Sequence, residues 1–361
     1  MDIEKTEKFL DVLGEPKYRL SQIKKAVFQD GVSDFSQIYN LSKQLREKLD
    51  REIKILSFTP ENILVSKNED SFKALLKLKD NNFIETVLLS AKPGLWSVCL
   101  STQVGCPLNC SFCATGQSGF KRNLTAEEIT DQVLLWKQYL KTQNSKLKEQ
   151  NPKDKIQNSK FKIKNSHISN VVFMGMGEPL LNWENVKESL EDLIDPELFG
   201  FGSRSISVST CGIPENIVKM QKYFPQINLA ISLHFADDQK RSQFMPINKK
   251  HNLKDLSHSF NQYFESSKRK VFLEYILLAS LNDSEKDALD LVKFIKSIRN
   301  NYLLHVNLIE YNQTYNKYSG SSRSKIEKFK NYLLNNHISV TTRKSLGQEI
   351  QGACGQLAGK K

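Results

Sequence analysis

The cysteines offer this chain its most distinctive chemistry. Six occur: Cys99, Cys106, Cys110, Cys113, Cys211 and Cys354. Three crowd into Gly105-Cys106-Pro107-Leu108-Asn109-Cys110-Ser111-Phe112-Cys113-Ala114-Thr115-Gly116, a C-x3-C-x2-C pattern that directly follows an expected strand. Thiolates are preferred ligands of iron–sulfur clusters. Three close thiolates can hold three irons of a [4Fe–4S] cluster and leave the fourth iron without a protein ligand. An open iron of that kind can chelate the amino and carboxylate groups of S-adenosylmethionine (SAM). An electron from the cluster can then break the sulfonium C–S bond and release a 5′-deoxyadenosyl radical. A structural zinc site is the competing reading. Zinc usually takes four ligands in paired spacings, and no second pair follows here, although Cys99 on the incoming strand is a conceivable fourth ligand.

Other residues could complete such a site. Val171-Val172-Phe173-Met174-Gly175-Met176-Gly177-Glu178-Pro179 is a buried-strand run entering a glycine loop. Gly177 permits close backbone approach, and Glu178 could accept hydrogen bonds from the SAM amino group; a plain turn would read the same way. Ser209, the run Ser232-Leu233-His234, and Asn312 fall at or just after the ends of expected strands, where parallel barrels keep their active sites. Each alone could be a cap or turn residue, and His234 a satisfied rim histidine. Cys354 lies among glycines near the end of the chain, which suggests a mobile, accessible thiol suited to nucleophilic chemistry. Cys99 sits on an expected strand, where a core cysteine is the simpler reading. Cys211 receives no role.

The elements that must position these residues follow from periodicity. Residues 1–60 read as a small helical module rich in Lys and Arg, either a packing domain or a grip on RNA. Gly14-Glu15-Pro16 breaks its first helix. Residues 61–95 read as a β meander, with Ile63-Leu64-Val65, Phe72 to Leu78 and Phe83 to Leu89 as strands. Residues 96–345 alternate strands (97–103, 169–174, 204–209, 228–233, 271–277, 303–309 and one near 338–342) with helical patterns (125–140, 184–194, 214–223, 285–298 and 322–336). This predicts an α/β fold, a full or partial parallel (β/α) barrel. Residues 346–361 form a tail that carries Cys354. Within the barrel, residues 141–166 are polar and lysine-rich and read as a mobile surface insertion.

Composition narrows the class. The chain has 361 residues and a formal net charge of +12, which points to a polyanionic partner such as nucleic acid. No signal pattern opens the sequence, and no apolar run approaches membrane-spanning length, so a cytoplasmic protein is expected. Six cysteines in such a chain suit ligation better than a disulfide framework.

At this point the residues resemble the RlmN/Cfr radical-SAM RNA methyltransferases along nearly the whole chain. The matching segments are Tyr18 to Ile23, Glu85-Thr86-Val87, Cys99 to Gly116, Phe173 to Pro179, Ser209 to Pro214, Ala230 to His234, Met245-Pro246-Ile247-Asn248 and Ala353 to Ala358. The insertion at 141–166 lies outside the family pattern. The resemblance implies a radical-SAM partial barrel and two SAM molecules per turnover. Cys106, Cys110 and Cys113 would hold the [4Fe–4S] cluster. Gly177, Glu178, Ser209, Ser232, Leu233, His234 and Asn312 would bind SAM. Cys354 would carry a methyl group as S-methylcysteine, Glu85 would accept a proton, and Cys99 would close a disulfide onto Cys354 to free the product. The implied partners are 23S rRNA, in some members the tRNA adenosine beside the anticodon, and an electron donor such as flavodoxin or ferredoxin. Nothing suggests a dimer seam, so a monomer is expected.

The family divides by target atom, C2 or C8 of an adenosine at the peptidyl-transferase centre. Pro179 leans toward the RlmN-like C2 branch, since Cfr members carry Ala there, while His305 to Ile309 and Tyr223 to Asn228 look close to Cfr. C2 is the expected target and C8 the alternative. Two further readings compete: a non-catalytic, zinc-stabilised RNA-binding protein, and a radical-SAM enzyme for a small molecule. The basic charge, the helical module and the late Cys354 argue against the last.

Overall fold

The computed structural model describes residues 1–149, 166–314 and 318–359. Its N-terminal module comprises α1 (Ile3–Val12), α2 (Tyr18–Lys24) and α3 (Lys43–Glu52). Asp2 and Ser42 accept backbone N–H groups at the starts of α1 and α3, which satisfies donors that a helix start leaves free. As the sequence signalled, α1 stops just before Gly14-Glu15-Pro16.

The strands β1 (Phe58–Val65), β2 (Ser71–Leu78), β3 (Phe83–Lys92) and β4 (Leu95–Cys99) form an antiparallel meander. The chain then makes a separate two-stranded ribbon, β5 (Gln103–Gly105) with β6 (Phe120–Asn123), flanking the short helix α4 (Ala114–Gln117). The expected strand over 97–103 is therefore two pieces. Leu100 still donates to Val172 O at 2.9 Å, but Thr102 and Gln103 turn to Met176 O, and β5 leaves the main sheet.

The helix α5 (Ala126–Glu149) opens with a capping box in which Thr125 and Glu128 exchange backbone N–H bonds. It runs past the expected end at 140 into the polar stretch read as an insertion. The rest of that stretch, 150–165, lies outside the described residues. Strand and helix then alternate: β7 (His167–Phe173), α6 (Trp183–Ile194), β8 (Ile206–Thr210), α7 (Pro214–Tyr223), β9 (Asn228–Ser232), α8 (Asp238–Phe244), α9 (Leu253–Ser266), β10 (Val271–Leu277), α10 (Glu285–Lys296), β11 (Leu304–Glu310), α11 (Arg323–Asn335) and β12 (Val340–Arg343). Two helices beyond those singled out from the sequence, α8 and α9, fill the crossover from β9 to β10. The buried stripe Leu253, Leu256, Phe260 and Phe264 on α9 has the helical period that signals it.

One ten-stranded sheet runs in the order β1-β2-β3-β4-β7-β8-β9-β10-β11-β12. The strands from β4 to β12 in that order are all parallel. Their interior residues, such as Val171, Val208, Ile231, Leu273 and Val306, are fully buried, as parallel strands covered by helices must be. The sheet is open, and its parallel strands curl around a cavity into a partial barrel of the expected α/β class. No helix among the described residues is long and apolar enough to cross a membrane.

Candidate active site

A cavity of about 600 Å³ lies at the C-terminal ends of the parallel strands. Every one of those strands contributes: Cys99 ends β4, Phe173 ends β7, and Ser209, Ser232, Ile276, Ile309 and Arg343 come from β8 through β12. This convergence is what the barrel geometry provides.

The cysteine loop forms one wall. Gly105 has φ +75°, and a Cβ there would sit 1.7 Å from Gly119 O, so only glycine allows β5 and β6 to close the base of the loop. Above that base Cys106 N donates to Gly119 O at 2.9 Å and Cys113 N to Cys110 O at 3.1 Å. All three motif cysteines line the cavity. Burial pushes the Cys106 and Cys113 thiols up, and their neighbours' negative forms add to this. Among the described residues no three His, Cys, Asp or Glu side chains converge tightly enough to hold one metal ion. A cluster makes a different demand, one thiolate for each of three irons, and three thiols on one wall fit it.

The glycine loop forms the next wall. Gly177 has φ +103°, and a Cβ there would lie 2.6 Å from the Gln103 side chain. That close approach lets Gln103 Oε1 accept the Glu178 N–H at 2.8 Å. The Glu178 carboxylate is buried and accepts Leu180 N at 3.0 Å and Cys211 N at 2.7 Å. Burial pushes its pKa up, and these hydrogen bonds oppose the shift. It lines the cavity, and no cation among the described residues pairs with it, which leaves it placed to receive an ammonium group.

The Ser209 and Ser232 hydroxyls lie 3.3 Å apart on adjacent strands. His234 has φ +57°, which turns it out of β9, and its Nδ1 accepts the Ile276 N–H at 3.1 Å. Burial, assisted by the charge of Arg241, lowers the His234 pKa to about 3, so the ring is neutral. With Nδ1 accepting, the proton resides on Nε2. Phe112 of the cysteine loop meets this ring edge-on at 5.2 Å.

Cys99 and Cys354 approach the cavity from the other side, and both are free thiols. Burial pushes the Cys99 thiol up to about 12, and Cys354 adds to the shift. Arg343, which sequence reasoning missed, lies 3.7 Å from Glu274, and its pKa is raised chiefly by Cys354. The tail that carries Cys354 was expected to be mobile, yet it is hydrogen-bonded on several sides. Ala114 N donates to Gly355 O at 2.8 Å, and Thr115 Oγ1 to Leu357 O at 2.6 Å. Ala358 N and Gly359 N both donate to Glu85 Oε2, at 2.7 and 3.1 Å.

Three expected site residues do not line the cavity. Glu85 is buried beneath the tail in an ion pair with Lys73 at 2.7 Å. Leu233 is a core side chain, and its backbone N–H bonds inward to Ile231 O and Glu274 O. Asn312 spans the tail instead, donating to Cys354 O at 3.1 Å and accepting from Gln348 at 2.7 Å. Two residues that the sequence left unassigned sit at the site. Cys211 lines the cavity against Cys110, and Arg241, on a short polar helix, is buried just behind Cys211.

The radical SAM superfamily model matches residues 100–292, and a ribosomal RNA large subunit methyltransferase N-terminal domain model matches residues 1–55. A probable dual-specificity RNA methyltransferase RlmN of Chlorobium phaeobacteroides is 40% identical, covering 96% of this chain and 91% of the relative. A ribosomal RNA large subunit methyltransferase Cfr of Shouchella clausii is 39% identical over 99% and 95%. The chain belongs to the RlmN/Cfr family of radical-SAM RNA methyltransferases. The crystal structure of a radical SAM methyltransferase from Sphaerobacter thermophilus matches the fold at a TM-score of 0.87, with 32% identity over 100% of this chain and 98% of that one.

Family membership removes the zinc-stabilised and small-molecule readings. The protein is a SAM-dependent RNA methyltransferase of the rRNA-modifying type whose cofactors are a [4Fe–4S] cluster and SAM.

Proposed function

We propose that this enzyme methylates C2 of an adenosine in 23S rRNA, with the tRNA adenosine beside the anticodon as a second substrate, through S-methylcysteine at Cys354. One observation carries the reading: Cys354 and Cys99 line the same cavity as the three motif cysteines. A methyl carrier must reach the centre where a radical is generated, and the resolving thiol must reach the carrier.

In this reading Cys106, Cys110 and Cys113 hold the cluster, Glu178 receives the SAM ammonium, and Ser209, Ser232 and the Nε2–H of His234 supply further polar contacts. The cluster and SAM together supply an electron and a carbon-centred radical. The chain's own residues do the rest. Cys354 sulfur takes a methyl group from one SAM, losing its thiol proton. Hydrogen abstraction from that methyl group leaves a carbon radical on Cys354, which adds to the adenine ring. A polar methyl transfer would be unfavourable at this electron-poor carbon. Glu85 accepts the ring proton, which requires the tail to move, because Oε2 is occupied by the N–H groups of Ala358 and Gly359. Cys99 sulfur, as a thiolate, then bonds to Cys354 sulfur while the S–CH2 bond breaks; the released carbon takes up a proton to become the methyl group, and the one surplus electron would return to the cluster that lent it.

Pro179 favours C2. The resemblance of His305 to Ile309 to Cfr supports C8 as the second reading, and identities of 40% and 39% to the two kinds of relative do not rank them. An external donor such as flavodoxin or ferredoxin supplies electrons. The test is mass spectrometry of nucleosides from 23S rRNA treated anaerobically with reconstituted enzyme, SAM and a reductant. 2-Methyladenosine is expected, 8-methyladenosine would move the enzyme to the other branch, and neither product alongside active SAM cleavage would overturn the substrate.

A further inference from the structure

Arg241, on α8, is 1% exposed, and each side of its guanidinium is used. Nε donates to Leu233 O at 3.2 Å, Nη1 to Asn248 Oδ1 at 2.8 Å, and Nη2 to Cys211 O at 2.6 Å. All three acceptors are neutral, and no carboxylate among the described residues pairs with it. Asp238 acts on this charge without pairing with it, and directs its carboxylate to Asn248 Nδ2 at 2.9 Å and Leu253 N at 3.0 Å. A buried, unpaired charge costs several kcal/mol, so such an arrangement calls for a countercharge.

The residue that links Arg241 to the cavity is Cys211. Its carbonyl binds the guanidinium, its N–H binds Glu178, and its thiol contacts that of Cys110. Glu178 cannot be the standing countercharge, because on the reading above it is neutralised by the SAM ammonium. Asp238 acts on Arg241 from the side of Asn248, and on the cavity side, where Cys211 and Cys110 also act on it, the anion is the cluster. Three thiolates around a [4Fe–4S]2+ core sum to one negative charge, and reduction makes it two. A fixed cation in a water-poor interior favours the more negative state, and cluster potentials respond to net charge and burial in this way.

We propose that Arg241 is the buried countercharge of the cluster and raises its reduction potential, easing the electron transfer that starts each radical cycle. Its fork also holds the turns after β8 and β9 in place, so it is a positioning and tuning residue that touches neither SAM nor RNA. The inference rests on Cys106, Cys110 and Cys113 holding the cluster.

The test is an anaerobic redox titration, followed by electron paramagnetic resonance, of the protein reconstituted with iron and sulfide and without SAM. Arg241→Gln keeps hydrogen-bonding capacity and removes the charge. It is expected to lower the equilibrium constant for cluster reduction at least tenfold, about 59 mV for a one-electron couple. Arg241→Lys keeps the charge and should stay within threefold of the wild type. The double variant Asp238→Asn, Asn248→Asp moves a carboxylate against Nη1 at constant net charge, and should shift the potential in the same direction as Arg241→Gln. An unchanged potential in a fully loaded Arg241→Gln protein overturns the proposal, as do equal shifts in the Gln and Lys variants. If Arg241→Gln holds no cluster, the charge-swapped protein decides, and an unshifted potential there overturns it. A wild-type protein that binds no iron fails differently, since it removes the cluster reading itself.

Discussion

The cysteine loop and the C-terminal tail bring sulfur to one cavity by opposite means. In the loop, the C-x3-C-x2-C spacing, the Gly105–Gly119 contact and the Cys113 N to Cys110 O bond all fall within one short segment, Gly105 to Gly119. Local sequence shapes that wall. In the tail, Cys354 is held by partners far away in the chain: Asn312, Ala114, Thr115, and Glu85 under Ala358 and Gly359. The difference suits the tasks. In the proposed mechanism a cluster needs a fixed scaffold, whereas Cys354 as methyl carrier must meet SAM, then RNA, then Cys99. A segment held by a few separate hydrogen bonds, each worth about 1 kcal/mol net, can be released and reset.

The sharpest way to break this contrast is to remove one sulfur from each region. Cys113→Ala should abolish cluster content, SAM cleavage and RNA methylation together. Cys354→Ala should lower methylation by roughly a thousandfold or more while iron content and SAM cleavage persist. Methylation retained by Cys354→Ala would remove the carrier role.

A smaller effect is expected at the tail's deepest anchor. Glu85→Gln leaves Lys73 buried without its partner and weakens the acceptor for two tail N–H groups. Breaking a buried pair of this kind costs about 3–5 kcal/mol. The variant should denature at lower urea and show faster hydrogen exchange over 352–359, with iron content unchanged. Unaltered exchange in the tail would show that Glu85 does not anchor it.

The smallest effect belongs to the barrel wall. His234 is neutral when folded because its pKa is lowered to about 3. Between that value and the ordinary 6.5 the unfolded chain binds a proton that the folded chain refuses. Stability is therefore lost as pH falls below 6.5, by about 1.4 kcal/mol per unit for one group. His234→Asn, which tolerates positive φ, should flatten the pH dependence of the urea midpoint by that amount between pH 6 and 4. An unchanged slope would mean that His234 titrates normally.

Much of this was legible in the sequence because it depends on local order. The strand–helix alternation, the cysteine spacing and the glycine loop are patterns of neighbours, and the structure brings them to one barrel mouth. The chain's exit after Cys99 was not legible, because Ser101 and Thr102 find their partners across the loop at Met176. Arg241 was also hidden: on a short, polar helix it reads as a surface cation, and only the packing of α8 behind Cys211 buries it.

The sequence by itself determined the radical-SAM barrel, the three-thiol motif and the basic character suited to RNA. Tertiary structure alone decided that Glu85 and Asn312 bond to the tail, and that Arg241 is buried without an ion pair behind Cys211. The physical reason is range. Periodicity and spacing act over a few residues, whereas the burial of a charge and the meeting of two thiols 255 positions apart, at Cys99 and Cys354, depend on how the whole sheet curls.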